Sequence, residues 1–370
     1  MTEVLASVVS GLKASALREF PLPDVPTDGG LLRVEAAGVC GSDVGSYDAD
    51  PGERVMGHEN VGVIEKVGRV ASERWGVKEG DRVALEEYLP CGHCRYCRTT
   101  EFRLCFATDP RMAGSVRYWS TSVDVPPALW GGFSQYLYLH PNSIMHKVPE
   151  GVPAEQLALA LPLGNGYEWA CVLGGAGPDR SVVVIGPGQQ GLACVLAAKR
   201  AGADPVVALG LGRDSERLRV AKALGADATV NVEEQDAVET VRELTGGELA
   251  DVVIDTAAGN AATLRPALAM LRHTGTLVLP TGSGPVDGLP IDVVRKKFLT
   301  VRGARGHSYA AVEWSIRAIA SGRYPLDQMC THSFGLDGVD RAIRSVGGEF
   351  GPDAIHVTID PWSPVGAQGS

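Results

Sequence analysis

The stretch Ser181–Gly191, SVVVIGPGQQG, constrains this chain more than any other. Val182 to Ile185 are β-branched and suit a buried strand. They lead straight into Gly186, Gly188 and Gly191 at GxGxxG spacing, after which Leu192 to Lys199 continues as an apolar helix. Strand, glycine turn and helix in that order open a dinucleotide-binding βαβ unit. Gly186 permits the turn, Gly188 lets the backbone approach a pyrophosphate, and Gly191 lets helix and strand pack closely. The helix N-terminus then meets the phosphate charge.

Alternation of strand and helix continues beyond this unit. The expected elements are a strand Pro205–Leu209, a helix Ser215–Leu224, a strand Ala228–Asn231, a helix Ala237–Leu244, a strand Asp251–Asp255, a helix Ala261–Leu271 and a strand Thr276–Leu279. That order predicts a parallel sheet covered on both faces. Residues 1–90 differ: short β-rich segments at Leu31–Ala36, Val61–Val67 and Arg82–Ala84, separated by glycine, predict a distorted antiparallel barrel. Between the two regions Ala154–Val172 is helical in pattern, with a kink expected at Pro162 and Gly164. The chain of 370 residues is long enough for two such domains.

Two polar knots interrupt the barrel, Gly38-Val39-Cys40-Gly41-Ser42-Asp43 and Gly57-His58-Glu59. Thiolate, imidazole and carboxylate beside glycine can turn sharply toward one ion, and thiolate and imidazole are preferred zinc donors. A buried free cysteine and an unrelated His-Glu pair form the competing reading. Further on, Cys91, Cys94, Cys97 and Cys105 follow a CxxCxxCx7C pattern. Four thiolates complete a tetrahedral zinc shell and leave no place for substrate, so this site is expected to be structural. An iron–sulfur cluster or a pair of disulfides are its alternatives.

Dinucleotide choice depends on the end of the second strand, where an NAD-binding fold places an acid for the adenosine ribose. Here Gly212 holds that position, Arg213 follows, and Arg217 lies one helical turn on. Loss of a carboxylate and gain of a guanidinium favour a 2'-phosphate and hence NADP. Asp214 keeps NAD open, because a shift of two residues returns an acid to the ribose.

A net charge of −10 argues against nucleic acid or an anionic membrane as partner. The opening residues MTEVLASVVSGLK lack signal-peptide character and no apolar run reaches membrane-spanning length, so a cytoplasmic protein is expected. Its eight cysteines should then stay reduced. Tyr118, Trp119 and Trp130 lie in an irregular stretch and either line a substrate pocket or pack a lobe. His140, His146, His273, His307 and His332 lack ligand company and read as packed or solvated residues.

Taken together, the two knots, the four-cysteine lobe, Pro162-Leu163, the run Gly186-Pro187-Gly188-Gln189-Gln190-Gly191 and Gly303-Ala304-Arg305-Gly306 resemble the zinc-containing medium-chain alcohol and polyol dehydrogenases over nearly the whole length. The resemblance implies an α/β protein: a barrel-like (GroES-like) catalytic domain from residues 1–150 and 297–370, with the zinc lobe at 91–105, and a doubly wound Rossmann domain at 151–296. It implies a homodimer or homotetramer acting on a small alcohol or carbonyl compound. A catalytic zinc would be held by Cys40, His58 and Glu59, with Asp43 supporting the histidine and Ser42 relaying a proton. Asn165 would stand beside the nicotinamide, while Gly186, Gly188, Gln189, Gln190, Gly191, Gly212, Arg213 and Arg217 would contact the dinucleotide. Two positions depart from the family. Leu161 replaces a further metal ligand, leaving Glu59 as third donor, and Gly45 replaces the proton-relay histidine. A zinc-free enone or quinone reductase, or a non-catalytic NADP-binding relative, are the alternatives that these departures raise.

Overall fold

The computed structural model describes residues 3–50, 52–257, 261–282 and 285–366. Val182–Ile185 forms the strand expected before the glycines, and its first three valines are buried almost completely. It lies inside a six-stranded sheet whose order is Ala228–Asn231, Val206–Gly210, Val182–Ile185, Ala250–Asp255, Leu271–Leu279, Thr300–Gly303. Every neighbouring pair runs parallel. In chain order this is third, second, first, fourth, fifth, sixth, the arrangement of a dinucleotide-binding fold. Helices Gln189–Arg200, Ser215–Ala223, Ala237–Leu244 and Ala261–Met270 connect the strands near the expected bounds. Leu192 to Ala198 on the first of these helices are all buried.

The chain divides into two compact units, one of residues 1–161, 319–321 and 330–370, the other of 162–318 and 322–329. These bounds differ from the expected ones. The strand Thr300–Gly303 joins the parallel sheet, and most of the helix Tyr309–Ala320 stays with that unit, so apart from 319–321 the chain remains in it up to residue 329. The helical kink also moves. The break falls at Ala158–Leu159, between Ala154–Leu157 and Ala160–Tyr167. Pro162 sits in the first turn of the second helix, where a missing N–H costs nothing. Beyond it Glu168–Leu173 widens to a π-helical turn.

In the first unit, β-branched and aliphatic residues build mainly antiparallel pairs. A seven-stranded sheet has the order Cys330–Phe334, His356–Ile359, Gly30–Val39, Glu59–Val67, Arg82–Leu85, Met145–Lys147, with Tyr136–Leu139 also paired to Gly30–Val39. Only its Cys330–Phe334/His356–Ile359 pair is parallel. A second sheet sets Glu3–Gly11 between Ala14–Pro21 and Arg54–Val55. Val4, Val8, Leu32, Val34, Met56, Leu85, Phe133 and Val357 share one buried apolar core. Both polar knots are fixed by this sheet. Cys40 directly follows the strand Gly30–Val39 and begins the helix Gly41–Asp48, while Glu59 is itself the first residue of a strand rather than a loop residue.

Candidate metal centres and cofactor site

Cys91, Cys94, Cys97 and Cys105 converge, with their sulfur atoms all within 4.8 Å of one another. Cys94 and Cys97 Sγ are 3.5 Å apart and Cys91 and Cys97 Sγ 4.0 Å. Tetrahedral zinc–thiolate geometry, with bonds of about 2.3 Å, calls for sulfur separations of about 3.8 Å. The donor set therefore fits zinc. Short turns hold it in place: Cys94 precedes the four-residue helix Arg95–Arg98, and Cys105 lies between 3-10 turns at Phe102–Leu104 and Phe106–Thr108. Backbone N–H groups of His93 and Cys94 draw the Cys91 thiol down to about 6, whereas burial, with Cys94 adding to it, pushes Cys97 up to about 12.

The two polar knots also meet. Cys40, His58 and Glu59 bring one donor atom each to within 4.8 Å of the others. Residue pairing explains why: Gly38 lies opposite Glu59 across adjacent strands, which sets Cys40 and His58 just beyond the same sheet end. A Cβ at Gly38 would stand 2.4 Å from Glu59 Oε2, so glycine there leaves room for the carboxylate. Asp43 links two donors at once. Its Oδ2 accepts the Cys40 N–H at 2.9 Å, and its Oδ1 faces His58 Nδ1 at 3.4 Å. Such a carboxylate fixes the imidazole's orientation and turns Nε2 toward a metal. On that side Ser42 Oγ, exposed to solvent, lies 3.4 Å from His58 Nε2. Burial alone would lower the His58 pKa, but Asp43, with smaller help from Cys40 and Glu87, holds it well above the usual histidine range. Leu161 is buried and offers no donor, and Gly45 is exposed with open space beside it.

The three aromatic residues separate into two roles. Tyr118 and Trp130 are buried in the apolar core, where Tyr118 Oη pairs with Ser143 Oγ at 2.6 Å. Trp119 is half-buried, and its ring lies 5.1 Å from that of His58. Its indole N–H donates to Glu87 Oε2 at 2.7 Å, and Arg117 pairs with the same oxygen at 2.5 Å. Burial opposes ionisation of Glu87, yet Arg117 and His58 bring its carboxyl down to about 2. Trp119 adopts a left-handed φ of +66°, a conformation that its neighbours must hold. No signal in the spacing pointed to Glu87 or Arg117.

In the second unit the glycine turn has the expected form. Gly186 has φ +91°, and a Cβ at Gly191 would collide with the Gly186 carbonyl oxygen at 1.9 Å. Thr256 Oγ1 donates to the carbonyls of Ile185 and Gly186 at 2.9 and 2.8 Å, locking the turn. Gly188 precedes the helix, with open space where its side chain would be. Gln189 is buried, and Gln190 has a buried Oε1 without a hydrogen-bond partner among the described residues. An open glycine face at a helix start suits a pyrophosphate. At the end of the second strand Gly212 and Arg213 are exposed. Asp214 is buried and turned back onto the Leu211 N–H at 3.0 Å, and it holds Arg217 at 3.2 Å.

Asn165 has a partner that sequence reading passed over. His307, expected to be merely packed, is buried and places Nδ1 2.9 Å from Asn165 Oδ1. The loop carrying it is secured by Trp169 Nε1 to the Gly306 carbonyl (3.1 Å) and by Ser308 Oγ to Glu168 Oε2 (2.7 Å). Its position directly after Gly303-Ala304-Arg305-Gly306 was the available signal. Among the described residues no helix is long and apolar enough to cross a membrane.

Comparison with known proteins adds to this geometry. Residues 27–150 match the alcohol dehydrogenase GroES-like domain, and residues 191–321 match the zinc-binding dehydrogenase domain. The chain is 38% identical over 366 residues to the "Probable alcohol dehydrogenase adh" of Mycobacterium tuberculosis, covering 97% of this chain and 98% of that one. It is 30% identical over 375 residues to the "Erythritol/L-threitol dehydrogenase" of Mycolicibacterium smegmatis, covering 96% and 97%. A crystal structure of an alcohol dehydrogenase from Thermotoga maritima shares the fold with a TM-score of 0.84 at 24% identity, over 97% of this chain and all 100% of that one.

Proposed function

Because the chain belongs to the zinc-type medium-chain alcohol dehydrogenase family, we propose that it transfers hydride between a nicotinamide dinucleotide and a small alcohol, polyol or carbonyl compound with the help of a zinc ion. The observation that carries this reading is the meeting of Cys40 with the distant pair His58-Glu59 around one point. These three residues would hold the metal. Bound there, zinc supplies Lewis-acid polarisation of the substrate oxygen and a lowered alcohol pKa.

The remaining work falls to the chain's own side chains. Asp43 keeps His58 oriented and ties down the backbone of Cys40. Ser42 Oγ accepts the alcohol proton and passes it to solvent, which takes the place of the relay lost at Gly45. Trp119, clamped by Glu87 and Arg117, gives a flat apolar wall beside His58 and suits the carbon skeleton of the substrate. Asn165, held by His307, presents its amide to the nicotinamide. Arg213 supports NADP in preference to NAD, since a guanidinium pairs well with a 2'-phosphate.

The strand Thr300–Gly303 ends the parallel sheet, with all four residues exposed and Phe298 and Ile291 exposed nearby. An open apolar edge of this kind supports pairing with a second copy, as a homodimer or larger assembly. The convergence of Cys91, Cys94, Cys97 and Cys105 as one thiolate donor set suits a reducing compartment such as the cytoplasm.

Metal analysis of the purified chain together with a panel of alcohols tests the reading. Two zinc ions per chain and dinucleotide-linked turnover support it. One zinc with turnover of an enone or quinone turns it to the zinc-free reductase, and tight dinucleotide binding without turnover of any substrate turns it to the non-catalytic relative.

A further inference from the structure

Parallel pairing at one edge of the six-stranded sheet, between Val206–Gly210 and Ala228–Asn231, brings an unexpected acid to the cofactor side of the second unit. Gly210 lies opposite Asn231, and the Val232 N–H donates to the Gly210 carbonyl at 3.0 Å. Asn231 Oδ1 then accepts the N–H of Glu233 at 3.1 Å and turns the chain back. Glu233 is thereby set beside Gly212, whose N–H donates to Glu233 Oε2 at 2.7 Å. A Cβ built on Gly212 would stand 3.0 Å from that same oxygen and 3.4 Å from Asn231 Nδ2. The volume that a side chain at the second strand's end would fill is therefore taken by the Glu233 carboxylate.

An NAD-binding fold reads the adenosine ribose with an acid carried on that second strand. This strand ends without one, since Gly212 has no side chain and Asp214 is buried and engaged with Leu211 and Arg217. We propose that Glu233, supplied from the loop after the third strand, is the ribose-reading acid of this chain and opposes Arg213 in the choice between NAD and NADP. The proposal rests on the reading that the second unit binds a nicotinamide dinucleotide. A carboxylate accepts hydrogen bonds from a 2'-hydroxyl, whereas beside a dianionic 2'-phosphate it repels and must swing aside. Arg213 pulls the other way. The chain accordingly retains NAD as a usable cofactor and restrains the NADP preference that its guanidinium would otherwise produce.

Fluorescence titration of the full-length protein with NADH and NADPH measures binding without turnover. Glu233→Gln keeps an oxygen for the Gly212 N–H and removes only the charge, so NADPH should bind roughly tenfold tighter and NADH a few-fold weaker. Arg213→Ala should shift the ratio the opposite way. The double substitution Gly212→Asp with Glu233→Ala moves the acid back to the strand, and should restore the NADH affinity that Glu233→Ala alone loses. An NADH-to-NADPH affinity ratio unchanged within about twofold in both Glu233→Gln and Glu233→Ala overturns the proposal. A wild-type chain that binds neither nucleotide overturns the cofactor reading, and this assignment with it.

Discussion

His307 Nδ1 and Asn165 Oδ1 lie 2.9 Å apart, hydrogen-bond distance to an amide oxygen that accepts. The contact fixes the Asn165 amide with its NH2 group turned away from His307. Substituting His307→Ala frees that amide to rotate. Turnover number should fall roughly 10- to 100-fold while the alcohol KM and the zinc content stay near wild type, the signature of a positioning defect. Steady-state kinetics with metal analysis check it, and a rise in KM alone would contradict the assignment.

The two candidate metal centres should respond differently to the loss of a donor. Cys40→Ser and Glu59→Ala are each expected to remove one zinc ion per chain and to lower turnover by about a thousandfold or more. Neither should move the melting temperature much, because the sheet holding both knots has its own apolar core. Cys97→Ser should release the other zinc and lower the melting temperature clearly, since the 91–105 loop is built of short turns around its sulfurs. Zinc quantitation and calorimetry separate the two cases.

Arg117 and Glu87 are a nearly buried ion pair that also holds Trp119 over His58. Glu87→Ala leaves the guanidinium buried and unpaired, and should cost about 3–5 kcal/mol of stability by urea denaturation. Trp119→Ala removes the wall without touching the pair. It should raise the KM for small alcohols by roughly tenfold, admit bulkier ones and leave two zinc ions in place. A KM that does not move would remove Trp119 from the substrate site.

Stability should fall with acid through a buried histidine that borders Gly38 on the side where Glu59 also lies. Burial holds the His356 imidazole down to about 4, against the Glu155 carbonyl that accepts its Nε2–H at 3.0 Å. A folded-state value below the unfolded one, about 6.5, means that the unfolded chain binds the proton first. The contribution is complete above pH 6.5 and is lost as pH drops toward 4, amounting to roughly 3 kcal/mol. His356→Gln should flatten that part of the urea-midpoint profile; an unchanged slope would assign the acid sensitivity elsewhere.

Much of this molecule could be read before folding was considered, for definite reasons. The valine run and glycine spacing at 182–191 are local signals, and local signals report local structure. The four cysteines are similarly close in sequence. Pro162 misled because a proline looks the same in a first turn as in a helix middle, and only the capping geometry distinguishes them. Domain bounds at 297 misled because the strand Thr300–Gly303 is too short and too exposed to show an apolar period. Glu87, Arg117, Glu233 and His307 were missed because each acquires its role from a partner 21 to 142 residues away, through pairing that no single segment encodes.

The strand His356–Ile359 is not an edge: it lies between Cys330–Phe334 and Gly30–Val39, and pairs Val357 with Val39, one residue before Cys40. During synthesis the parallel sheet can close as soon as residue 303 has emerged, while the other sheet must wait for residues 356–359. Long-range closure of this kind is slow and leaves β edges uncovered in the interval. Loss of the strand His356–Ile359 would therefore silence the enzyme at its first polar knot, which lies far upstream in the chain, before any reacting group had been altered.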